Sequence, residues 1–206
     1  MSALSRNARL TLLGATLFAA TLPLACSTPT RVTSEWKDPS TVPKAMQKVV
    51  VVGLRLQPAA RHMLEDKLVA SLGERGTAAA PSYRVLGETL PDRETVRVML
   101  EKEGYDAAFI LSLRRIKETP NYVPGGTSTI WNGPYWGYSS VNDPGYVVTD
   151  QTVIFDSILW DLRDGKALWA ATTETDNPTS GSDFVKSLTS ELLPRLGQQG
   201  FIAPRR

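Results

Sequence analysis

Few residues in this chain could do chemistry. Its one histidine, His62, precedes Glu65 and Asp66 by three and four residues. On a helix that spacing puts an imidazole and two carboxylates on one face, where they could touch a metal ion. A zinc site wants more ligands than one histidine and one cysteine provide. His62 points away from the apolar stripe of its segment, and Arg61 with Glu65 reads as an ordinary exposed ion pair. A serine nucleophile needs a positioned base, and His62 is a weak candidate for it. Carboxylate pairs are the other catalytic option, from Asp143, Asp150, Asp156 and Asp161. Strand alternation puts Asp150 and Asp156 on one side and Asp161 on the other, where such acids read as solvated surface. The stretch Gly53 to Pro58 has a single glycine where a phosphate-cradling turn needs several, and Gly-Lys-Ser/Thr is absent from the sequence. The expectation is a protein that is not an enzyme and carries no metal or cofactor.

Binding chemistry concentrates in residues 120–146. This stretch of 27 residues holds six of the sixteen aromatics, five glycines, four prolines and one charge, Asp143. It reads as a long loop, and its aromatic content argues against disorder. The candidate binding residues are Tyr122, Trp131, Tyr135, Trp136 and Tyr138. Their rings could stack on glycan or a small amphiphile, anchor a protein partner, or fold back over a sheet edge.

The one cysteine, Cys26, ends an apolar run from Leu10 to Leu24 that follows Arg6 and Arg9 with no acid before it. A run of about fifteen apolar residues is short of the roughly twenty that cross a bilayer, so residues 1–25 read as a signal peptide. Leu22-Pro23-Leu24-Ala25-Cys26 resembles the lipobox of bacterial lipoproteins, with Pro23 where the family pattern has a branched apolar residue. The resemblance implies cleavage before Cys26 and its acylation by fatty acids such as palmitate, so that the bilayer is the first partner. Several acyl chains hold a domain at a membrane far better than one. Ser27 stands where Gram-negative lipoproteins kept at the inner membrane carry aspartate, which implies the periplasmic face of the outer membrane.

Removing residues 1–25 takes two basic residues from 23 and leaves 21 against 21 acids, so the remainder is formally neutral. Nucleic-acid binding wants a basic surface, and none is expected. With one cysteine there is no internal disulfide, so packing must supply the stability.

The elements that must position these residues form one domain, 36–206, behind a tether at 26–35. Lys48 to Leu54 is a β-branched run suited to a strand buried on both faces. Ala60, Leu64, Leu68 and Leu72 lay an apolar stripe along a helix opened by Pro58 and closed by Gly73 and Gly76. A strand at Ser82–Leu86 follows, then a helix from Pro91-Asp92 to Gly104, then a buried strand from Ala107 to Leu113. Beyond the loop, Tyr146 to Asp161 and Ala167 to Thr175 flank Asp164-Gly165 and read as an antiparallel hairpin. A helix capped by Ser182 or Asp183 and containing Pro194 ends the chain, leaving a short tail. The fold class is α/β: one mixed sheet with a βαβαβ start, a long loop, an antiparallel hairpin and a C-terminal helix.

Trp36-Lys37-Asp38-Pro39, the Val49 strand, Arg61 with Glu65-Asp66, Arg75-Gly76 before Ser82-Tyr83, Gly104-Tyr105-Asp106, Tyr122-Val123-Pro124-Gly125 and Leu168-Trp169-Ala170 together resemble a group of uncharacterised bacterial lipoproteins. More distantly, the element order resembles the TolB amino-terminal domain, the curli secretion lipoprotein and the penicillin-binding-protein activator lipoproteins. The resemblance implies a lipid-anchored envelope protein that works by contacting an envelope protein or peptidoglycan. Fold likeness alone does not license function.

Overall fold

Residues 29–131 and 138–204 of the computed structural model are described. They run in the order β1 (Thr30–Lys37), β2 (Lys48–Leu54), α1 (Pro58–Gly73), β3 (Ala78–Pro81), α2 (Ser82–Val85) and α3 (Arg93–Lys102). β4 (Ala107–Val123), β5 (Thr127–Trp131), β6 (Tyr138–Asn142), β7 (Tyr146–Asp161), β8 (Lys166–Asp176) and α4 (Gly181–Gln198) complete the chain. A six-stranded mixed sheet has the order β1-β8-β7-β4-β2-β3, and β5 and β6 pair separately.

The valines of β2 are buried on both faces because each face carries a helix layer. Val49 and Val51 pack with Leu64, Leu68 and Leu72 of α1 and with Leu188, Leu192 and Leu196 of α4. Val50 and Val52 pack on the other face with Leu100 of α3 and Tyr105. The crossovers β2-α1-β3 and β3-α3-β4 therefore lie on opposite faces, with β3 and β4 parallel to β2 on either side. The turn Arg163-Asp164-Gly165 joins β7 to β8, with Gly165 at φ 63° and Asp161 Oδ1 accepting from the Arg163 and Asp164 amides.

Four local expectations change. The segment 26–35 is not all tether, since β1 already begins at Thr30 and runs through Trp36 as an edge strand on β8. Ser82–Leu86 is not a strand. Its Ser82 hydroxyl and Tyr83 amide both donate to Glu65, which turns the chain into α2 at Pro81. The last helix is capped by Ser180, whose side chain accepts from the Asp183 amide. The tail is not free either. Phe201 and Ile202 are fully buried, and the Phe201 carbonyl accepts from the Met46 amide.

The expected loop 120–146 departs furthest. β4 and β7 stay paired from Ala107–Asp161 out to Val123–Tyr146. β2 leaves β4 after Ser112, and β8 leaves β7 after Thr152. Beyond those points β4 and β7 continue as a two-stranded arm, which β5 and β6 extend through the register Thr127–Asn142 to Trp131–Tyr138. A β-bulge at Leu113/Arg115 marks where the arm diverges, and bulges bend and twist a strand.

Candidate functional site

The arm is the most exposed element with apolar side chains. Tyr122, Val123, Tyr146, Val147 and Val148 lie along it in solvent, with Tyr122 68% and Val147 62% exposed. Paired residues share a face, so Tyr122 and Val147 stand on one side and Val123 and Tyr146 on the other. From Glu118 to Leu162 the sequence contains neither lysine nor arginine. The arm thus offers aromatic and β-branched surface and two ladder edges, and the charges in its sequence, Glu118, Asp143 and Asp150, are all acidic.

Two glycines permit the crossing between its ladders. A Cβ on Gly125 would fall on the Asp143 carbonyl, and one on Gly145 would fall on the Tyr122 ring. The Asp143 amide donates to the Gly126 carbonyl at 2.9 Å and ties the crossing. At position 125 the approach is to backbone and excludes any side chain, whereas at 145 it is to the end of the exposed Tyr122 side chain, which can move aside.

A polar cluster locks the root of the arm to the first strand. Arg31 of β1 donates to Asp176 at 2.5 Å and to Glu174 at 2.6 Å. Thr152 donates to the same Asp176 carboxylate at 2.7 Å. Those hydrogen bonds, from Thr152 foremost and then Arg31, hold Asp176 below the usual carboxylate range. Asn177 and Asn121 both donate to Asp150, and Asn177 and Gln151 exchange backbone and side-chain bonds at 2.7 Å.

Of the expected binding residues, Tyr122 lies on β4 in the arm, and Trp131 and Tyr138 are opposite one another at the end of the β5–β6 ladder. Tyr135 and Trp136 lie outside the described residues, as does Cys26. The candidate acids are dispersed. Asp150 sits in the arm-root cluster, Asp156 accepts from Arg114 at 2.7 Å and Thr172 at 2.8 Å, and Asp161 caps a turn. Asp150 and Asp156 are separated by about 20 Å of strand, too far to act as a pair.

The helix of His62 holds a correction. Arg61 and Glu65 are buried, at 8% and 0% exposure, and are not a surface pair. Glu65 Oε1 accepts from Arg61 Nε at 2.9 Å, the Gly53 amide at 2.8 Å and Ser82 Oγ at 2.8 Å, while Oε2 takes the Tyr83 amide at 3.2 Å. Arg61 also donates to the Glu88 carbonyl and to Ser82 Oγ. Every lobe of this ion pair is engaged, so it fastens α1 to the ends of β2 and β3. The sequence signal was available in Arg61 and Glu65 themselves, one turn from Leu64 and Leu68 on the inward side. His62 is outside that network, stacked on Tyr83 at 3.9 Å between ring centroids and 2.9 Å from Glu88. Among the described residues no three His, Cys, Asp or Glu side chains converge to hold a metal ion. None of the described helices is long and apolar enough to cross a membrane.

No family model matches the chain, and no curated protein matches it. Among solved structures it is similar to the PelC dodecamer from Paraburkholderia phytofirmans, with TM-score 0.45 and 15% identity over 84% of this chain and 98% of that one. It is also similar to lipoprotein GNA1162 from Neisseria meningitidis, with TM-score 0.42 and 18% identity over 74% of this chain and 99% of that one. A third likeness is to XCC0632 from Xanthomonas campestris, with TM-score 0.35 and 14% identity over 75% of this chain and 83% of that one. Likenesses this remote say nothing of what the chain binds.

Proposed function

We propose that the protein is a lipid-anchored envelope module that acts by contact rather than catalysis, with the β4–β7 arm as its contact surface. The observation that carries this reading is the arm itself, a strand pair that outruns its sheet and holds five apolar side chains in solvent. A monomeric domain gains nothing from such a ribbon, which is marginal on its own in water.

The anchor fits the arm. Acylated Cys26 would precede Thr30 by four residues, so it reaches at most about 14 Å from the start of β1. β1 starts at the end of the sheet from which the arm departs, since Thr30 pairs with Thr175 and the neighbouring Asp176 with Thr152. Anchoring through Cys26 therefore holds the arm on the membrane side of the domain, on the periplasmic face of the outer membrane. Its exposed apolar side chains and free ladder edges suit an envelope protein that adds a strand or seats Tyr122 in a pocket.

The test is in-cell photocrosslinking of the anchored protein from Val147. A discrete protein adduct that disappears in Tyr122→Ser and in Cys26→Ser is expected. Crosslinks to peptidoglycan alone would move the reading to a glycan-binding module. The absence of any adduct from a folded, anchored protein would end the contact reading.

A further inference from the structure

The second face of the sheet is only partly covered. α1 and α4 blanket the first face, whereas the second face carries the short α2 and the ten-residue α3 among the described helices. Between α3 and the sheet lies an open groove of about 450 Å³, with Val52, Leu54, Ile110, Ile158, Trp160 and Val96 among its lining. It runs along the sheet face beside α3, over β4 and β7, from Leu54 at the end of β2 to Leu162 just past the end of β7. Volume and lining match the range of small-molecule sites.

Beyond the groove the same sheet face continues as an apolar row. Val52, Ile110, Ile158, Ala170 and Trp36 are successive Cα partners across β2, β4, β7, β8 and β1. They therefore share one face and form an apolar row about 19 Å long, four strand spacings. Trp36 ends the row at the sheet edge, 49% exposed. Two residues along β4, β7, β8 and β1 the same face turns polar at Ser112, Asp156, Thr172 and Ser34, so the apolar strip has a defined polar border along which a long apolar chain would align.

The mouth of the groove has a charge. Arg97 is occupied by Glu94 at 2.5 Å and Glu101 at 2.7 Å. Arg93 forms no ion pair within 4 Å among the described residues, and its guanidinium lies 4.5 Å from the centre of the Trp160 ring. That stacking holds a cation at the entrance of an apolar channel without neutralising it. The other two grooves of comparable interest differ. The one between α1 and α4 is lined by Lys67, Glu74, Arg75 and Lys186, and the one beside Lys166 has that lysine already paired with Asp38.

We infer that the groove binds the acyl chain of an anionic single-chain amphiphile, with Arg93 on its carboxylate or phosphate headgroup. A free fatty acid and a lysophospholipid share this chemistry. This site is separate from the arm and does not depend on it.

The test uses the full acylated protein in phosphatidylcholine nanodiscs, titrated with a brominated long-chain fatty acid, with a brominated lysophosphatidic acid, and with the uncharged alcohol of equal length. Tryptophan quenching reports entry beside Trp160. The expected result is saturable binding of one or both anionic probes, whichever saturates at the lower concentration marking the source. Val96→Phe, which fills the groove without adding a tryptophan, should weaken it at least tenfold. Arg93→Glu should weaken the anionic probes several-fold and leave the alcohol unchanged. Thermal melting shows that each variant is folded. Quenching that rises without saturation, or equally in Val96→Phe, overturns the site. Saturable binding that Arg93→Glu leaves untouched overturns the headgroup assignment.

Discussion

Thr30 Oγ1 lies 2.8 Å from Thr175 Oγ1, and this contact joins the first residue of β1 to the end of β8 where the arm leaves the sheet. One residue further along each strand, Arg31 reaches Asp176, which also receives Thr152 from the arm's own strand. The chain's N-terminal entry and the arm root are thus one hydrogen-bonded unit. A force or restraint on the N-terminal segment is transmitted to the arm through short, charge-assisted bonds.

Glu65→Ala should be the most destabilising single change outside the apolar core. It strands the buried Arg61 guanidinium and leaves the Gly53 amide without its acceptor. Breaking one partner of a buried pair costs about 3–5 kcal/mol. Urea denaturation at neutral pH checks it, and a loss below about 1 kcal/mol would mean that water reaches the site.

How much of this was legible in the sequence depends on how local the cause was. The valines of β2, the leucine stripe of α1 and the Asp164-Gly165 turn carry their own pattern, and each forms where expected. β1 does not. Its residues are mostly polar, and what makes it a strand is β8, more than a hundred residues away. The arm misleads for the opposite reason. Pro120, Gly125 and Gly126 are loop residues by composition, yet Pro120 sits opposite Thr149 in a two-stranded ladder whose other edge needs no amide from it. The groove could not be read at all, because Val52, Ile158 and Trp36 meet only through register.

Asp38 should make the acid limb of stability distinctive. Lys166 at 2.8 Å, then Thr41 and Ser40, hold its carboxyl well below the usual carboxylate range. A depressed folded pKa gives stability that is present above the unfolded value, near 4, and is lost as pH falls through the folded one. The difference in melting temperature between the wild type and Asp38→Asn should be constant from about pH 5 to 8 and shrink steadily below about pH 4. A difference that persists unchanged at pH 2 would show that the carboxylate charge contributes nothing.

Asp92→Ala should loosen α3 alone. Asp92 Oδ1 accepts from the Glu94 and Thr95 amides at 3.1 Å, and Oδ2 from Thr95 Oγ1 at 2.6 Å. Loss of such a cap costs about 1 kcal/mol. Hydrogen exchange should quicken in the first turn of α3 while the β2 amides stay protected. Equal quickening in both would mean that the helix and the sheet unfold together.

The arm makes the sharpest contrast, because two neighbouring glycines should behave differently. In Gly125→Ala the new methyl has nowhere to go but into the Asp143 carbonyl, so the crossing between the two ladders must open. In Gly126→Ala the methyl meets nothing within 4 Å, and its backbone is not left-handed. Neither position touches the core, so both variants should keep global stability within about 0.5 kcal/mol of the parent. The Asp143 amide, which donates to Gly126, should lose its exchange protection in Gly125→Ala and keep it in Gly126→Ala. If the arm is the contact surface, the in-cell crosslink from Val147 should follow the same split. Crosslinking that survives the opened crossing would place the contact on the paired root between Thr119 and Val123 rather than on the outer ladder.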